Sequence, residues 1–423
     1  MLWEQTNEGD LSCAEPVPEG GRWVERFVRE QSPEHGLTRL FYTSPTIFDL
    51  DIERIFLRHW LCVGHLSRIP EAGDYFLYRI AGESLIIIRD EHGGVNALIN
   101  VCSHRGSPVC RRDEGRAKTL ICPYHAWTYS PDGSLRGAPR MPEMPGQART
   151  GLRRCHVRII EGLIFINFAA EPVQLNPESL RTISAFLSHH DLSRATIGHR
   201  EAFHVRANWK LVFENFSECY HCGPVHPEYC SVMYETRGES AKSVERSQEW
   251  SDTWAAQARR LGYMAGATKL SPDIPHFCSR TPIRQGCRTQ SDGGAPVAPL
   301  MGRFLEYDGG ITQVRLYPVN YVIAPCDYAV LFRFTPLDPV NTEVELTWLV
   351  REGARAGRDF DVSALAWFWK VTTEQDRDIV EATQSGVGSR FYAPGPQSER
   401  ERGAQAFIQW YLGELSPTLP GGR

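Results

Sequence analysis

The sequence predicts an α+β chain, with a mostly-β unit towards the N-terminus followed by an antiparallel sheet with helices packed on it. Three observations predict this class. Apolar spacing changes from helical before Leu66 to short β-branched and aromatic runs after it. Strand-like runs return over Thr312–Phe334 and Glu343–Val350. Finally, Val362–Thr383 and Arg402–Leu415 carry apolar residues at i, i+3 and i+4, the stripe of helices that close a sheet.

In chain order, a polar leader over 1–44 precedes a helix expected over Phe41–Leu66, where Phe48, Ile52, Ile55 and Phe56 share one face. Tyr75–Ile80, Ser84–Ile88 and Val95–Ile99 then read as antiparallel hairpins joined at Ala81-Gly82 and Gly93-Gly94. Thr119–Cys122, Ala126–Ser130 and Val157–Phe168 continue the pattern, so 45–165 is expected to be one small β domain. The Pro-containing stretch Ala170–Glu178 marks its end, and 166–423 is expected to form the second domain. There, Asn208–Cys222 is expected to be helical until Gly223-Pro224 stops it, and the Gly- and Pro-rich Gly286–Gly302 is expected to be a surface loop.

At 423 residues, and roughly 100 to 200 residues per domain, the chain is too long for a single small binding module. An apolar fraction of 42% excludes wholesale disorder. Lys plus Arg total 46 against 51 acids, with no long like-charged run, so neither nucleic acid nor a membrane is expected as partner and a small molecule is. Apolar runs such as Leu163–Ala170 fall far short of the roughly 20 residues of a bilayer span. The acidic, polar Met1–Asp10 has no signal-peptide layout, so a reducing cytoplasm is expected and the 12 Cys should be thiols or metal ligands rather than disulfides.

Two constellations carry chemistry. Cys102-Ser103-His104 is followed, after 17 intervening residues, by Cys122-Pro123-Tyr124-His125. Loops after strands would bring two thiols and two imidazoles together. Zinc accepts such a set. So does a [2Fe-2S] cluster with Cys102 and Cys122 on one iron and His104 and His125 on the other, an arrangement that raises its potential. Ser103 and Tyr124 are candidates to hydrogen-bond its sulfurs, and Cys110 reads as a buried thiol.

The second constellation lies in Asn208–Glu228. On a helix Glu218 and His221 would share a face, and the break at Gly223-Pro224 would let His226 curl back towards them. Two imidazoles and a distant carboxylate make the facial triad of a non-haem Fe(II) centre with open positions for O2. Glu374, Asp376, Asp378 and Glu381 all offer that carboxylate. Cys219 and Cys222 also have the spacing of a zinc knuckle, though no second Cys pair is nearby.

The two constellations in this order resemble the α subunit of Rieske non-haem iron oxygenases. The resemblance implies an N-terminal Rieske domain, a C-terminal helix-grip domain, a [2Fe-2S] cluster and a mononuclear Fe(II) whose carboxylate ligand is Asp376. It also implies a head-to-tail homotrimer in which a carboxylate, matched in place by Glu218, bridges a neighbour's cluster histidine to an iron-ligand histidine; many members carry Asp there. Asn215 is a candidate pocket residue. Among branches, the chain is most similar to the glycine betaine, proline betaine and choline monooxygenases, through Asn208–Leu211, Glu218–Cys222, His226-Pro227-Glu228, Gln375-Asp376-Arg377 and Tyr392–Pro396. Such a substrate needs an aromatic cage, for which Tyr317, Tyr321, Phe332, Phe334 and Trp367 are candidates.

No Gly-rich dinucleotide fingerprint is present, so electrons are expected from a separate NAD(P)H-dependent flavin/iron-sulfur reductase. The expected reaction is oxidative N-demethylation or hydroxylation of a quaternary ammonium compound by O2. The rivals are hydroxylation, dihydroxylation or O-demethylation of an aromatic acid, a Rieske electron carrier without oxygenase activity, and a zinc-stabilised interaction protein.

Overall fold

Short β-branched and aromatic runs pair into the first sheet of the chain, seen here in a computed structural model that describes residues 22–32, 34–141, 151–234, 241–268, 276–316 and 318–416. Three helices come first, α1 (Arg22–Glu30), α2 (Arg39–Thr43) and α3 (Pro45–Asp51). The sheet follows with β1 (Leu61–His65), β2 (Asp74–Ile80), β3 (Glu83–Arg89), β4 (Val95–Ile99) and β5 (Glu114–Arg116). Short β6 (Leu120–Ile121), β7 (Thr128–Tyr129) and β8 (Leu135–Gly137) form a separate three-stranded sheet. Next, β9 (Arg154–Ile160) and β10 (Leu163–Asn167) return to the first sheet, which is antiparallel in the order β1-β10-β9-β4-β3-β2-β5. Ala81 and Gly82 both take positive φ (49° and 81°), which the tight turn from β2 to β3 requires.

After α4 (Pro177–Leu187), β11 (Thr196–Val205) opens the second sheet. Helices α5 (Trp209–Phe216), α6 (Cys222–Val225), α7 (Pro227–Val232) and α8 (Ala241–Arg260) intervene before the sheet resumes. Its other strands are β12 (Gly266–Ala267), β13 (His276–Pro282), β14 (Gly310–Leu316), β15 (Asn320–Ala324), β16 (Tyr328–Asp338) and β17 (Asn341–Val350). The order is β11-β17-β16-β15-β14-β13-β12, again antiparallel. The chain closes with α9 (Val362–Val387) and α10 (Arg402–Leu415).

Both faces of this second sheet are covered, and residues along each strand alternate between them. Val314, Val322 and Leu331 pack with Trp60, Phe165 and Leu187 from the β1–β10 side. Tyr321, Ile323, Phe332 and Phe334 point the other way, into a core with Phe213, Phe368 and Trp369. Among the described residues no helix is long and apolar enough to cross a membrane.

Three local expectations are corrected. The helix expected over Phe41–Leu66 is α2 and α3 running into one π-helical turn (Ile52–Phe56), and its last residues are strand β1. All of Leu61–His65 is buried, so no alternation betrayed the strand. Helix α5 ends at Phe216, well before Cys222, and Gly223-Pro224 lies inside α6 rather than stopping a helix. Pro224 is tolerated there because first-turn amides have no partner within a helix. The Gly286–Gly302 stretch is not a surface loop throughout: Thr289, Gln290 and Ser291 are buried, and Thr289 donates to Asp327 at 2.6 Å.

The N-terminal helices pack on the helices of the second sheet. Asp51, fully buried at the end of α3, accepts from the Lys210 ammonium, from Trp209 Nε1 at 2.9 Å and from the Tyr411 hydroxyl at 2.7 Å. Burial pushes the Asp51 carboxyl up and the Lys210 ammonium down, and each is the main force opposing the other's shift. This knot ties α3, α5 and α10 together. Asp51→Asn, which strips Lys210 of its counter-charge, should cost about 3 to 5 kcal/mol in denaturant unfolding. The paired change Asp51→Asn/Lys210→Met should cost less than the single one.

Candidate active site

The second constellation assembles where α5 ends. His221 caps α6, His226 links α6 to α7, and Asp376 lies in the middle of α9. Asp376 Oδ1 is 3.3 Å from His221 Nε2 and 3.0 Å from His226 Nε2. One ligand atom from each of the three falls within 4.8 Å of the others, the span a single cation can fill. Glu218 and His221 meet in a turn rather than on a helix face, with Glu218 Oε1 accepting from His221 Nδ1 at 2.5 Å. Glu218 also accepts from the Tyr220 amide, which fixes its arm.

Each imidazole is therefore held by its Nδ1 and presents Nε2 to the shared point, as metal-binding histidines require. For His226 the partner is Gln375 Oε1 at 2.8 Å, and Gln375 Nε2 donates in turn to Glu228 at 2.7 Å. Gln375 was not foreseen as a site residue, although it stands in the Gln375-Asp376-Arg377 stretch that carries part of the family likeness. Asn215 Nδ2 donates to Asp376 Oδ1 at 2.6 Å, so it touches the carboxylate itself. The other three acids considered on this helix stand apart from the cluster, and Glu381 is spent on Arg206.

Burial would raise the Asp376 carboxyl, but hydrogen bonds from His221 and His226 pull it down to about 2. Burial would lower His221, yet Asp376 and Glu218 push it up to about 9. Two carboxylates, Asp376 and Glu218, thus face one imidazole from its two nitrogens. Cys219 and Cys222 straddle His221 as a disulfide, which corrects the expectation of thiols and leaves no zinc knuckle there. Their backbones are close because the chain turns sharply between α5 and α6.

A cavity of about 300 Å³ opens beside the triad, at the small end of the range for ligand sites. Helix-side residues Phe216, Tyr229 and Trp369 and sheet residue Tyr321 give it ring faces. Of the five proposed cage residues, Tyr321 lines this cavity; Phe332 and Phe334 lie behind Phe216, at centroid distances of 4.7 and 5.3 Å. Trp367 is packed against the core, and Tyr317 is outside the described residues. Trp369, two residues from Trp367, points inward instead: a helix face was the right source, at the wrong phase.

The first constellation sits on two matching turns at the tip of the β unit. Gly106 N donates to Cys102 O at 2.9 Å and Ala126 N to Cys122 O at 3.0 Å, and both closing residues take positive φ. Cys102 and Cys122 are buried whereas His104 and His125 are exposed, with ring centroids 4.7 Å apart. Trp127 stacks on His104 and Tyr124 on His125. Burial would raise the Cys122 thiol, but the Tyr124 amide, Cys102, the His125 amide and Ser107 together bring it below its ordinary value. Tyr129, which the sequence did not single out, places its hydroxyl 3.1 Å from Cys102 Sγ and 3.0 Å from Ser103 Oγ. This donor set fits a cluster with a buried sulfur side and an exposed imidazole edge.

Two outcomes follow for metal binding. Gln375→Leu, which frees the His226 ring, should weaken Fe(II) binding roughly 10- to 100-fold with little change in fold, measured by anaerobic calorimetry. A cation must also displace the proton that His221 holds up to about 9. Affinity should therefore climb by roughly tenfold per pH unit from neutrality and level off above that value, and a flat profile would contradict the assignment of His221.

Comparison with known proteins agrees with this geometry. The Rieske [2Fe-2S] domain description matches residues 59–153, and the ring hydroxylating alpha subunit (catalytic domain) description matches 192–416. The chain is 33% identical to the glycine betaine monooxygenase oxygenase subunit of Chromohalobacter salexigens, over 91% of this chain and 87% of that one. It is 28% identical to the carnitine monooxygenase oxygenase subunit of Escherichia coli, over 87% and 88% of the two. In fold it is similar to the quaternary ammonium Rieske monooxygenase CntA in complex with L-carnitine (TM-score 0.70, 22% identity, 95% and 99% coverage). It is also similar to naphthalene 1,2-dioxygenase from Rhodococcus sp. (TM-score 0.68, 18% identity, 95% and 100% coverage). From domain order, from the two clustered donor sets and from these relatives, the chain belongs to the Rieske non-haem iron oxygenases, as an α subunit pairing a [2Fe-2S] domain with a mononuclear iron domain.

Proposed function

We propose that this chain is the oxygenase component of a two-part system that oxidatively N-demethylates or hydroxylates a betaine-type quaternary ammonium compound. The observation that carries the substrate reading is the small cavity whose ring faces, Phe216, Tyr229, Tyr321 and Trp369, stand around the His221, His226 and Asp376 donors. Ring faces attract a quaternary ammonium. Relatives named for glycine betaine and carnitine support the same substrate class.

In this reading residues 45–165 form the Rieske domain, with 1–44 as leader, and 166–423 the catalytic domain. Cys102, His104, Cys122 and His125 hold the [2Fe-2S] cluster, and His221, His226 and Asp376 hold the Fe(II). When bound, these centres supply stored electrons and dioxygen activation. Glu218 and Gln375 orient the two ligand imidazoles, and Asn215 steadies the carboxylate. The rings would hold the cation with an N-methyl carbon towards the His221, His226 and Asp376 side chains and would exclude water from it. One oxygen atom of O2 enters that C–H bond and the other leaves as water, with two electrons and two protons from an NAD(P)H-dependent flavin/iron-sulfur reductase. The hydroxymethyl amine then collapses to formaldehyde and the demethylated amine.

Glu218 also serves as the bridge to a neighbouring subunit's cluster in a head-to-tail homotrimer. The exposed His104/His125 edge and the half-exposed Tyr220 beside Glu218 give that contact accessible surfaces at both ends. The assembly works in the cytoplasm.

Reconstitution with a reductase, NADH and a betaine should release formaldehyde in step with O2 uptake. His221→Ala should abolish this while the visible spectrum of the cluster persists. A catechol or cis-diol from an aromatic acid, with no formaldehyde from any betaine, would overturn the reading in favour of ring oxidation.

A further inference from the structure

The cavity is electrically lopsided. The Asp376 and Glu218 carboxylates line it beside the two histidines, and two guanidiniums line it as well, that of buried Arg315 on β14 and that of exposed Arg400 just ahead of α10. Arg315 is only 3% exposed, yet it lines the cavity. Strand register explains how. Arg315 pairs with Phe277 on β13 and Tyr321 on β15, so these three side chains form one row across the sheet, and all three line the cavity. Gln313, two residues earlier on β14, faces the same way and lines the cavity beside Ile323, its own partner.

The guanidinium lies over the Phe277 ring at 5.7 Å. Its room is kept by Gly403 at the start of α10: a Cβ there would come within 3.3 Å of Arg315 Nη1 and would collide with the Ser217 carbonyl. Arg315 also acts on the ring next to it. Burial raises the Tyr321 hydroxyl above its ordinary value, and the Arg315 charge opposes that rise.

We propose that Arg315 is a specificity-determining residue that receives the substrate's carboxylate, so that a zwitterion spans the cavity with its ammonium pole on the ring faces beside the iron ligands. This deepens the betaine reading above and rests on it. If an N-methyl carbon is the atom oxidised, the cationic nitrogen must lie one bond from the metal side, and a carboxylate on the same small molecule then points away from the acids and towards β14. A planar guanidinium suits a carboxylate, with two parallel N–H bonds, and Gln313 can add a further donor. A cation with a neutral tail would bring no negative charge to the guanidinium, so the two ends of the cavity would distinguish it from a zwitterion by charge.

Glycine betaine and choline share a trimethylammonium head and differ in carboxylate against hydroxyl, so they separate the two poles. Formaldehyde release with reductase should give wild type a higher kcat/KM for glycine betaine than for choline. Arg315→Gln should lower that ratio roughly 10- to 100-fold, chiefly through the KM for betaine, and Arg315→Lys should keep part of it. Calorimetric binding of both compounds to wild type and Arg315→Lys supplies the same comparison without turnover, should Arg315→Gln fold poorly. A wild-type enzyme without preference between the two, or variants in which both substrates weaken together and the ratio holds, would overturn the role of Arg315 while leaving the quaternary-amine reading intact. Formaldehyde from neither compound would remove both.

Discussion

Asp376 Oδ1 stands between two imidazole nitrogens, and most of the catalytic half is arranged to keep it there. Its neighbours come from parts of the chain about 150 residues away in sequence, so the contact exists only while the turn after α5 stays pressed against α9. Asn215 on α5 holds the carboxylate, and Gln375 on α9 holds His226 at the junction of α6 and α7, so each side of the contact orients a group on the other. Beneath it, the Asp51 knot fixes the start of α5 against α3 and α10.

The two donor sets follow one design in different materials. In the catalytic half each imidazole is pinned through Nδ1 by Glu218 or Gln375 and offers its other nitrogen. In the β unit the imidazoles are pinned by stacking, on Trp127 and Tyr124, because an exposed tip offers fewer buried acceptors. The sulfurs there are covered by backbone amides and the Tyr129 hydroxyl. Buried thiols and an exposed imidazole edge give that tip a direction, with its histidines outermost.

Much of the site was readable because its chemistry depends on local spacing. Cys102-x-His104 and Cys122-x-x-His125 lie on tight turns whose geometry short sequence fixes, and His221 and His226 are close in sequence as well as in space. The turn between them was misread as a helix and a break, because Phe213, Glu214 and Ser217 continue a helical pattern that the tertiary fold cuts at Phe216. Asp376 needed the family likeness, since four acids on one helix are equivalent until the opposite wall is known. Gln375 and Tyr129 were missed for the same reason: their partners are far along the chain. Helices α4 and α8 and strand β11 also went unassigned, α8 being largely polar.

By itself, the sequence determined the class, the order of the two iron-binding units and the residue types at each, because metal chemistry admits few donors and short loops few spacings. The tertiary structure decided which of several rings face the cavity, which acid meets the histidines, and that Arg315 lines the same cavity. Those choices depend on helix phase and strand register. A shift of one residue in β14 would turn Arg315 to the far face of the sheet, and that position is set only by the pairing of β13, β14 and β15.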